Sequence, residues 1–135
     1  MSARFEVVQP AGWPAPKGYA NGVVTRGRLL HVGGQIGWNA EGVFTCRDLA
    51  GQFAQALDNV LAVVVAAGGT ATDIARMTVY VTDLPAYRAE QRAIGRAWRD
   101  RLGRHFPAMA LVGVTGLVEF EALIEIEAVA VLEDA

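Results

Sequence analysis

The chain has 135 residues, of which 53% are hydrophobic and 19% are charged, and its formal net charge is −2. This length fits one domain over residues 1–135 with one core. The charge provides no broad positive field of the kind that holds nucleic acid phosphates. The longest apolar stretch, residues 60–67, is far shorter than a membrane span, and the start of the chain lacks a secretory pattern. We therefore expect a cytoplasmic protein that binds neither nucleic acid nor membrane.

The first predicted elements are short strands. Two β-like runs, residues 23–26 and 29–36, are separated by Gly27 and Arg28. This spacing predicts an antiparallel hairpin with a two-residue turn. Residues 37–42 predict a turn, and residues 43–45 a short edge strand.

A helix and a further strand are predicted next. Apolar residues recur at helical spacing over residues 48–67, and Gly68 and Gly69 are expected to end the helix. The polar residues Gln52, Gln55 and Asp58 fall between the apolar positions. Residues 73–82 predict a half-buried strand with two valines on one face and three polar residues on the other: Val79 and Val81 against Thr78, Tyr80 and Thr82.

A second helix is predicted from Pro85 to Gly103, with Asp83 placed to cap it. Its inward stripe is Tyr87, Gln91, Ile94, Trp98 and Leu102. The charged residues between them predict a solvated face: Arg88, Arg92, Arg96, Arg99, Asp100 and Arg101. Strands over residues 108–114 and 123–132 complete the chain.

This order of elements, βββ-α-β-α-ββ, predicts the α+β class, with two helices on one face of a mixed sheet. We expect the other face to be apolar and to need a partner subunit, because several strand valines are too many to leave in water. These are Val79, Val81, Val112, Val114, Val129 and Val131.

The last strand carries the strongest chemical signal. Glu125 and Glu127 stand two residues apart in an apolar run, so they share one strand face. Two carboxylates that close, in a low-dielectric surrounding, hold protons more tightly, which suits general acid and base work. The alternative is that one or both pair with an arginine or with backbone donors across an interface. This alternative is equally open for Glu125 and favoured for Glu127.

No metal, phosphate or serine-nucleophile site is predicted, and no cofactor is expected. His31 and His105 lie far apart in sequence, and Cys46 is the only cysteine. Ser2 is the only serine and lies in no nucleophile motif. The glycine-rich segment at residues 33–37 is followed by a turn instead of a helix, so its glycines are expected to admit a backbone or a ligand closely.

Seven segments taken together resemble the Rid superfamily, the YjgF-like imine and enamine deaminases and their relatives. They are GYANG (18–22), GQI (34–36), QALDNV (55–60), AAG (66–68), VYVTDL (79–84), FPA (106–108) and IEIEA (124–128). The resemblance implies a chorismate-mutase-like fold and a homotrimeric barrel with ligand clefts between neighbouring subunits. Such a trimer would cover the open sheet face.

The resemblance also implies site residues. Deaminases of the family hold a substrate carboxylate with an arginine just after Phe-Pro-Ala and use a glutamate on the final strand to position or activate water. Glu125 matches that glutamate, Tyr19 matches a cleft tyrosine, and Leu111 matches a backbone donor to the carboxylate. The arginine position is Met109 in this chain.

Two further positions depart from the family pattern. A serine common before Gly34 is replaced by Gly33, and an asparagine of the second helix by Gln91. Without the arginine, generic 2-iminoacids are expected to be poor substrates, because charge-assisted hydrogen bonds are lost. The remaining cleft, which includes Trp38, is more apolar and favours a larger, less anionic enamine or imine. Trp38 has an equally open alternative as ordinary packing.

Two kinds of function are therefore predicted. The first is a divergent enamine or imine deaminase in which Glu125 acts on water, with no cofactor. The second is a non-catalytic trimer that binds a small metabolite or holds partner proteins. Met109 and Gly33 favour the second, and Glu125 favours the first. RNA cleavage, which has been attached to some relatives, finds no basic and aromatic stripe here.

Overall fold

A computed structural model describes residues 5–133, and these form the predicted α+β fold, with helices packed on one face of a sheet. The strands are β1 Phe5–Val8, β2 Gly22–Thr25, β3 Arg28–Ile36, β4 Ile74–Val81, β5 Ala108–Gly113 and β6 Ile124–Leu132. The helices are α1 Leu49–Ala66, α2 Leu84–Ala89 and α3 Gln91–Leu102, and a 3-10 turn spans Ala71–Asp73.

The main sheet has four strands in the order β3-β6-β4-β5, and β1 and β2 form a separate antiparallel pair. The final strand, β6, lies between β3 and β4 and is antiparallel to both. The parallel pairing of β4 with β5 makes the sheet mixed. The last strand in sequence is therefore central, while β5 lies at an edge.

The predicted hairpin of β2 and β3 is wrong. Each strand has another partner, β1 for β2 and β6 for β3. Gly27, at φ +139°, turns the chain from one sheet to the other, and a Cβ built there would lie 2.4 Å from the carbonyl oxygen of Leu132. The turn therefore lies against the end of β6, and only glycine fits this approach.

The edge strand predicted at residues 43–45 is also wrong, since these residues form a loop. The side-chain oxygen of Asn39 accepts hydrogen bonds from the N–H groups of Glu41 and Val43, each at 3.0 Å. The N–H of Asn39 donates to the carbonyl of Val43 at 2.9 Å. Because the segment satisfies its own backbone groups, it has no need of a strand partner.

Helix α1 supplies the largest part of the core. Asp48 caps it by accepting from the N–H of Gly51 at 2.9 Å. By length and composition α1 is a marginal candidate for a membrane span, but its apolar stripe packs on the sheet, which is compatible with a soluble protein. Gln52 belongs to the buried face. The buried residues are Leu49, Gln52, Phe53, Ala56, Leu57, Val60 and Val64.

The second predicted helix is divided into α2 and α3 at Glu90. Asp83 caps α2 as expected, accepting from the N–H of Ala86 at 3.0 Å. The backbone of Glu90 leaves helical angles, with φ −105° and ψ 15°, and its carboxylate accepts from the N–H of Ala50 in α1 at 3.1 Å. The break therefore joins the helical layer to the first turn of α1.

The open sheet face is not the valine surface that we predicted. Val79, Val81 and Val131 are fully buried within the chain. On β4 and β6 the open face carries mainly polar residues, Arg76, Thr78, Tyr80, Glu125 and Glu127, among which Val129 is half-buried. Strand alternation correctly separated Val79 and Val81 from Thr78 and Tyr80. The six valines do not share one face, however, since Val112 pairs with Tyr80 on the open side.

Candidate active site

Glu125 and Glu127 project from the open face of β6, as predicted. In the antiparallel register Glu125 stands opposite Tyr80 and Glu127 opposite Thr78. Glu125 is half-buried, and its carboxylate has no hydrogen bond or ion pair to any other residue in the range 5–133. A half-buried carboxylate without a partner in its own chain is available to a ligand or a water molecule.

Glu127 is engaged instead. Its carboxylate accepts a short hydrogen bond from the hydroxyl of Tyr80. This hydrogen bond is the main reason that the pKa of Tyr80 is raised above its usual value, with partial burial and the negative charges of Glu127 and Glu125 as smaller causes. The favoured alternative for Glu127 was an arginine or backbone donor across an interface, whereas this partner is a tyrosine of the same chain. The pair of glutamates thus divides into an occupied carboxylate and a free one.

The glycines before Gln35 bring backbone against Glu125. The pairing of β3 with β6 shifts register between Val32 and Gln35, which places Gly34 over the carboxylate. A Cβ built on Gly34 would lie 2.5 Å from Oε2 of Glu125, whereas one built on Gly33 meets nothing within 4 Å. The expected close approach is therefore found at Gly34, and Gly33 leaves open space beside it.

Gly34→Ala is expected to lower catalytic turnover while changing the free energy of unfolding by less than about 1 kcal/mol, because the added methyl displaces the end of a flexible side chain. Gly33→Ala is the matched control and should keep both properties. Ammonia release and thermal melting measure the two effects. Equal activity of both variants would contradict the role given to this approach.

A second group of predicted residues lies on the helical side of the sheet. Gln91, Met109 and Leu111 line a cleft of about 740 Å³ between α3 and β5. The ring of Trp98 on its wall is parallel to that of Phe106, with an interplanar angle of 3° and centroids 6.1 Å apart. These rings give the cleft rigid apolar walls.

The backbone of Leu111 faces outward, in keeping with the donor role that the resemblance implies. The N–H of Val114 donates to Val81 of β4 at 2.8 Å, and backbone groups alternate in direction along a strand. Residues 109 and 111 therefore direct their N–H groups away from β4, toward the free edge. Consistently, the carbonyl of Pro107 accepts from Ala20 on that same edge, at 2.9 Å.

One chain does not bring Met109 and Glu125 together. Met109 pairs with the buried Met77 on the helical side. Glu125 pairs with Tyr80 on the opposite face. The residues assigned to one site by sequence therefore form two half-sites on opposite faces of the sheet.

Tyr19 lies next to the cleft. It is 41% exposed and lines an adjoining cavity of about 410 Å³ with Arg104 and Phe106. These two residues also line the larger cleft, so the two spaces adjoin.

Trp38 lies elsewhere. Its ring is 5.8 Å from that of Phe44, and its carbonyl accepts a 2.7 Å hydrogen bond from the side chain of Asn59. Trp38 also lines a separate cavity of about 290 Å³ with Gln35 and Ala62, so within one chain it lies outside the cleft between α3 and β5.

Sequence reasoning missed Arg99 and Arg104, which also line the cleft. Arg99 was assigned to the solvated face of the helix. The spacing of Gln91, Gly95 and Arg99, four residues apart, places all three on one helix face, and that signal was present in the sequence. Among residues 5–133 no group of three His, Cys, Asp or Glu side chains is arranged to hold a metal.

A family model described as Endoribonuclease L-PSP matches residues 12–132. A RutC family protein of Haemophilus influenzae is 34% identical over 126 residues, covering 93% of this chain and 96% of that protein. The 2-iminobutanoate/2-iminopropanoate deaminase of Escherichia coli K12 is 40% identical over 113 residues, covering 84% and 86% of the two chains.

Solved structures agree in fold. A Rid family protein of unknown function from Yersinia pestis, YyfB, superimposes with a TM-score of 0.85 at 34% identity, over 96% of this chain and all of that one. TdcF of Escherichia coli with bound serine gives a TM-score of 0.69 at 30% identity, over 95% and 99% of the two chains. The family model, the curated relatives and the structures all agree with the resemblance seen in the sequence, and the chain belongs to the Rid (YjgF-like) family.

Proposed function

We propose that the protein is an enamine or imine deaminase in which Glu125 acts as the base and a second copy of the chain completes each site. The free, half-buried carboxylate of Glu125 carries this proposal. It has the chemistry needed to orient or deprotonate water, and Gly34 leaves no room for a side chain beside it. The reaction class is supported by the relative named a 2-iminobutanoate/2-iminopropanoate deaminase.

The chemistry requires no cofactor, because an imine carbon is already electrophilic. The enamine first tautomerises to the imine. Glu125 then takes a proton from water as the water oxygen bonds to the imine carbon, and it passes that proton to the nitrogen to give a carbinolamine. Glu125 next takes the proton of the carbinolamine hydroxyl and delivers it to the nitrogen as the carbon–nitrogen bond breaks. Ammonia leaves, a carbonyl product remains, and Glu125 is again ionised.

The second copy is proposed from the opposed half-sites. Glu125 faces the helix-free side of the sheet, whereas Gln91, Met109 and Leu111 line the cleft on the other side. A ligand that contacts both groups therefore needs Glu125 from one copy and the cleft from its neighbour. The closed homotrimer implied by the family resemblance is the assembly we propose, since each copy in a ring presents one half-site to the next.

The side chain at position 109 limits which substrates the cleft can hold. A methionine offers no charged hydrogen bond to a carboxylate held beside β5, so we propose a larger enamine or imine whose reacting carbon carries no carboxylate. A cytoplasmic location and a small metabolite as partner are part of this proposal.

The second candidate is a trimer that binds a small metabolite without turnover. It is favoured by Met109, and by Gly33 at the position where the family commonly has a serine. RNA cleavage is not proposed, because the open face presents Glu125 and Glu127, whose negative charges repel phosphate.

The decisive experiment measures ammonia release from a panel of enamines generated in situ, with wild type, Met109→Arg and the volume-matched Met109→Leu. We expect wild type to act on larger enamines and poorly on 2-iminoacids. Met109→Arg should gain about tenfold or more on 2-iminoacids, because an arginine restores charge-assisted hydrogen bonds, and Met109→Leu should not.

Wild-type activity on 2-iminoacids that Met109→Arg does not raise would contradict the role of position 109. If no enamine is turned over but metabolites still raise the melting temperature, the binding function replaces the deaminase.

A further inference from the structure

The cleft between α3 and β5 has an apolar interior and a positively charged mouth. Its deepest lining residues are 6% exposed or less: Phe53, Val79, Ile94 and Trp98. Arg99 and Arg104 line the same cleft and are exposed. We propose that the cleft binds an amphipathic carboxylate, with its hydrocarbon part in the interior and its carboxylate held by the guanidinium groups of Arg99 and Arg104.

The arginines around the end of α3 differ in what they bind. Arg101 donates to both carboxylate oxygens of Asp58, at 2.6 and 3.2 Å, and this hydrogen bonding raises its pKa. The guanidinium groups of Arg99 and Arg104 make no hydrogen bond or ion pair with any other residue of the described chain, 5–133. Both guanidinium groups are therefore available to an anion bound in the cleft.

The backbone directs both side chains to the cleft. Arg99 follows Gln91 and Gly95 at helical spacing on the face that lines it. A Cβ on Gly95 would lie 3.6 Å from Nη1 of Arg99, so the missing side chain leaves the guanidinium free space over the cleft. Gly103, at φ +60°, ends α3 and returns Arg104 to the same opening.

The helix end alone does not explain this pair. A cation in the last turn of a helix is stabilised by the negative end of the helix dipole, which accounts for Arg99. Arg104 lies beyond the C-cap, Gly103, and so gains little from the dipole. The helix dipole therefore does not account for Arg104 on the wall of the same cleft, whereas an anionic ligand accounts for both arginines.

The identification of this ligand as a substrate rests on the proposed function. The cationic groups lie at the cleft mouth on α3 and the segment after it, while Met109 lies on β5. A substrate held this way carries its carboxylate several bonds from the reacting carbon, with an apolar segment between them. The cleft thus selects an enamine or imine with a distal carboxylate over a 2-iminoacid.

Calorimetric titration of the intact oligomer tests the binding directly. The probes are 4-phenylbutanoate, its neutral amide 4-phenylbutanamide, and propanoate, which keeps the charge but lacks the apolar body. We expect 4-phenylbutanoate to bind about tenfold or more tightly than either of the others, since both the charge-assisted hydrogen bonds and the apolar burial are needed.

Charge-matched variants locate the anion. Arg99→Gln and Arg104→Gln should each weaken the binding of 4-phenylbutanoate about fivefold or more and leave the binding of the amide unchanged. Arg96→Gln, on the exposed face of the same helix, is the control and should bind like wild type.

Equal binding of the acid and the amide, no binding of either, or an equal loss in Arg96→Gln would overturn the inference. Repeating the titration with Glu125→Gln separates it from the proposed function, because that variant should still bind the acid. Selective binding without turnover of any enamine leaves the inference standing and removes the deaminase. Turnover of an enamine without selective binding of the acid supports the deaminase and overturns the inference.

Discussion

Replacing Glu125 by glutamine is expected to lower ammonia release by about 10²–10⁴-fold, the range that a general base contributes. The amide has the same shape but cannot take a proton from water. The substitution should change the free energy of unfolding by no more than about 0.5 kcal/mol, since the carboxylate of Glu125 makes no hydrogen bond within residues 5–133. Steady-state rates on the best enamine of the panel, with thermal melting beside them, measure both effects.

Glu127→Gln is the matched control, since Glu127 is on the same face of the same strand. It should keep most of the activity, because Glu127 is engaged by Tyr80 and the glutamine oxygen still accepts from that hydroxyl. Loss of the carboxylate charge should also lower the raised pKa of Tyr80, which an ultraviolet titration against wild type detects. Full ammonia release by Glu125→Gln from every active substrate would rule out its role as the base.

Glu125→Gln, combined with a second variant that blocks the cleft, tests whether two copies of the chain share one site. Gly95 lines the cleft, and a Cβ built there meets only Nη1 of Arg99 within 4 Å, at 3.6 Å, so Gly95→Phe should block the cleft while leaving Glu125 intact. Each variant alone should be inactive. Refolding them together should restore activity to about a quarter of the sites in a randomly mixed ring, because some neighbours then contribute an intact glutamate to an intact cleft. A mixture that stays inactive would show that the half-sites belong to one chain.

The fold was largely readable from sequence because its periodic segments are long. Helix α1 and strands β4 to β6 were predicted close to their observed bounds, since 3.6- and 2-residue periods are local signals. The hairpin failed for a non-local reason: β3 pairs with β6, almost a hundred residues later in the chain. The residues of the turn at Gly27 do not determine which distant strand pairs with β3.

The site was predictable in composition but not in arrangement. The spacing of Glu125 and Glu127 correctly placed both on one face, because strand alternation is fixed by backbone geometry. That Glu127 is occupied depends on Tyr80 of a neighbouring strand, and that Arg104 returns to the cleft depends on the turn at Gly103. Neither contact leaves a periodic trace in the sequence.

Gln52 is the most instructive omission, and it leads to the largest expected loss of stability. It was placed among the polar residues between apolar positions of the helix, yet it is only 1% exposed. Its amide donates to the carbonyls of Cys46 and Glu121, both at 3.1 Å. Its oxygen accepts from the N–H of Leu123 at 2.8 Å. One side chain thus joins the loop before α1 to the chain entering β6.

Gln52→Leu is expected to lower the free energy of unfolding by about 3–5 kcal/mol, because a buried N–H and two carbonyls lose their partner and each unsatisfied group costs about 1–3 kcal/mol. The melting temperature should fall by roughly 10 °C or more. Denaturant unfolding and calorimetry measure the change.

Gln55→Leu is the matched control on the same helix, because Gln55 is only half-buried and bonds one side chain, Asn59, at 3.0 Å. It should cost less than about 1 kcal/mol. Gln52→Glu separates hydrogen bonding from packing: it keeps the shape but turns a carboxylate oxygen toward two carbonyl oxygens, so it should destabilise at neutral pH at least as much as leucine. If Gln52→Leu has the same free energy of unfolding as Gln55→Leu, the three backbone groups form hydrogen bonds with water instead. The start of β6, and with it Glu125 two residues beyond Leu123, would then be held by strand pairing alone.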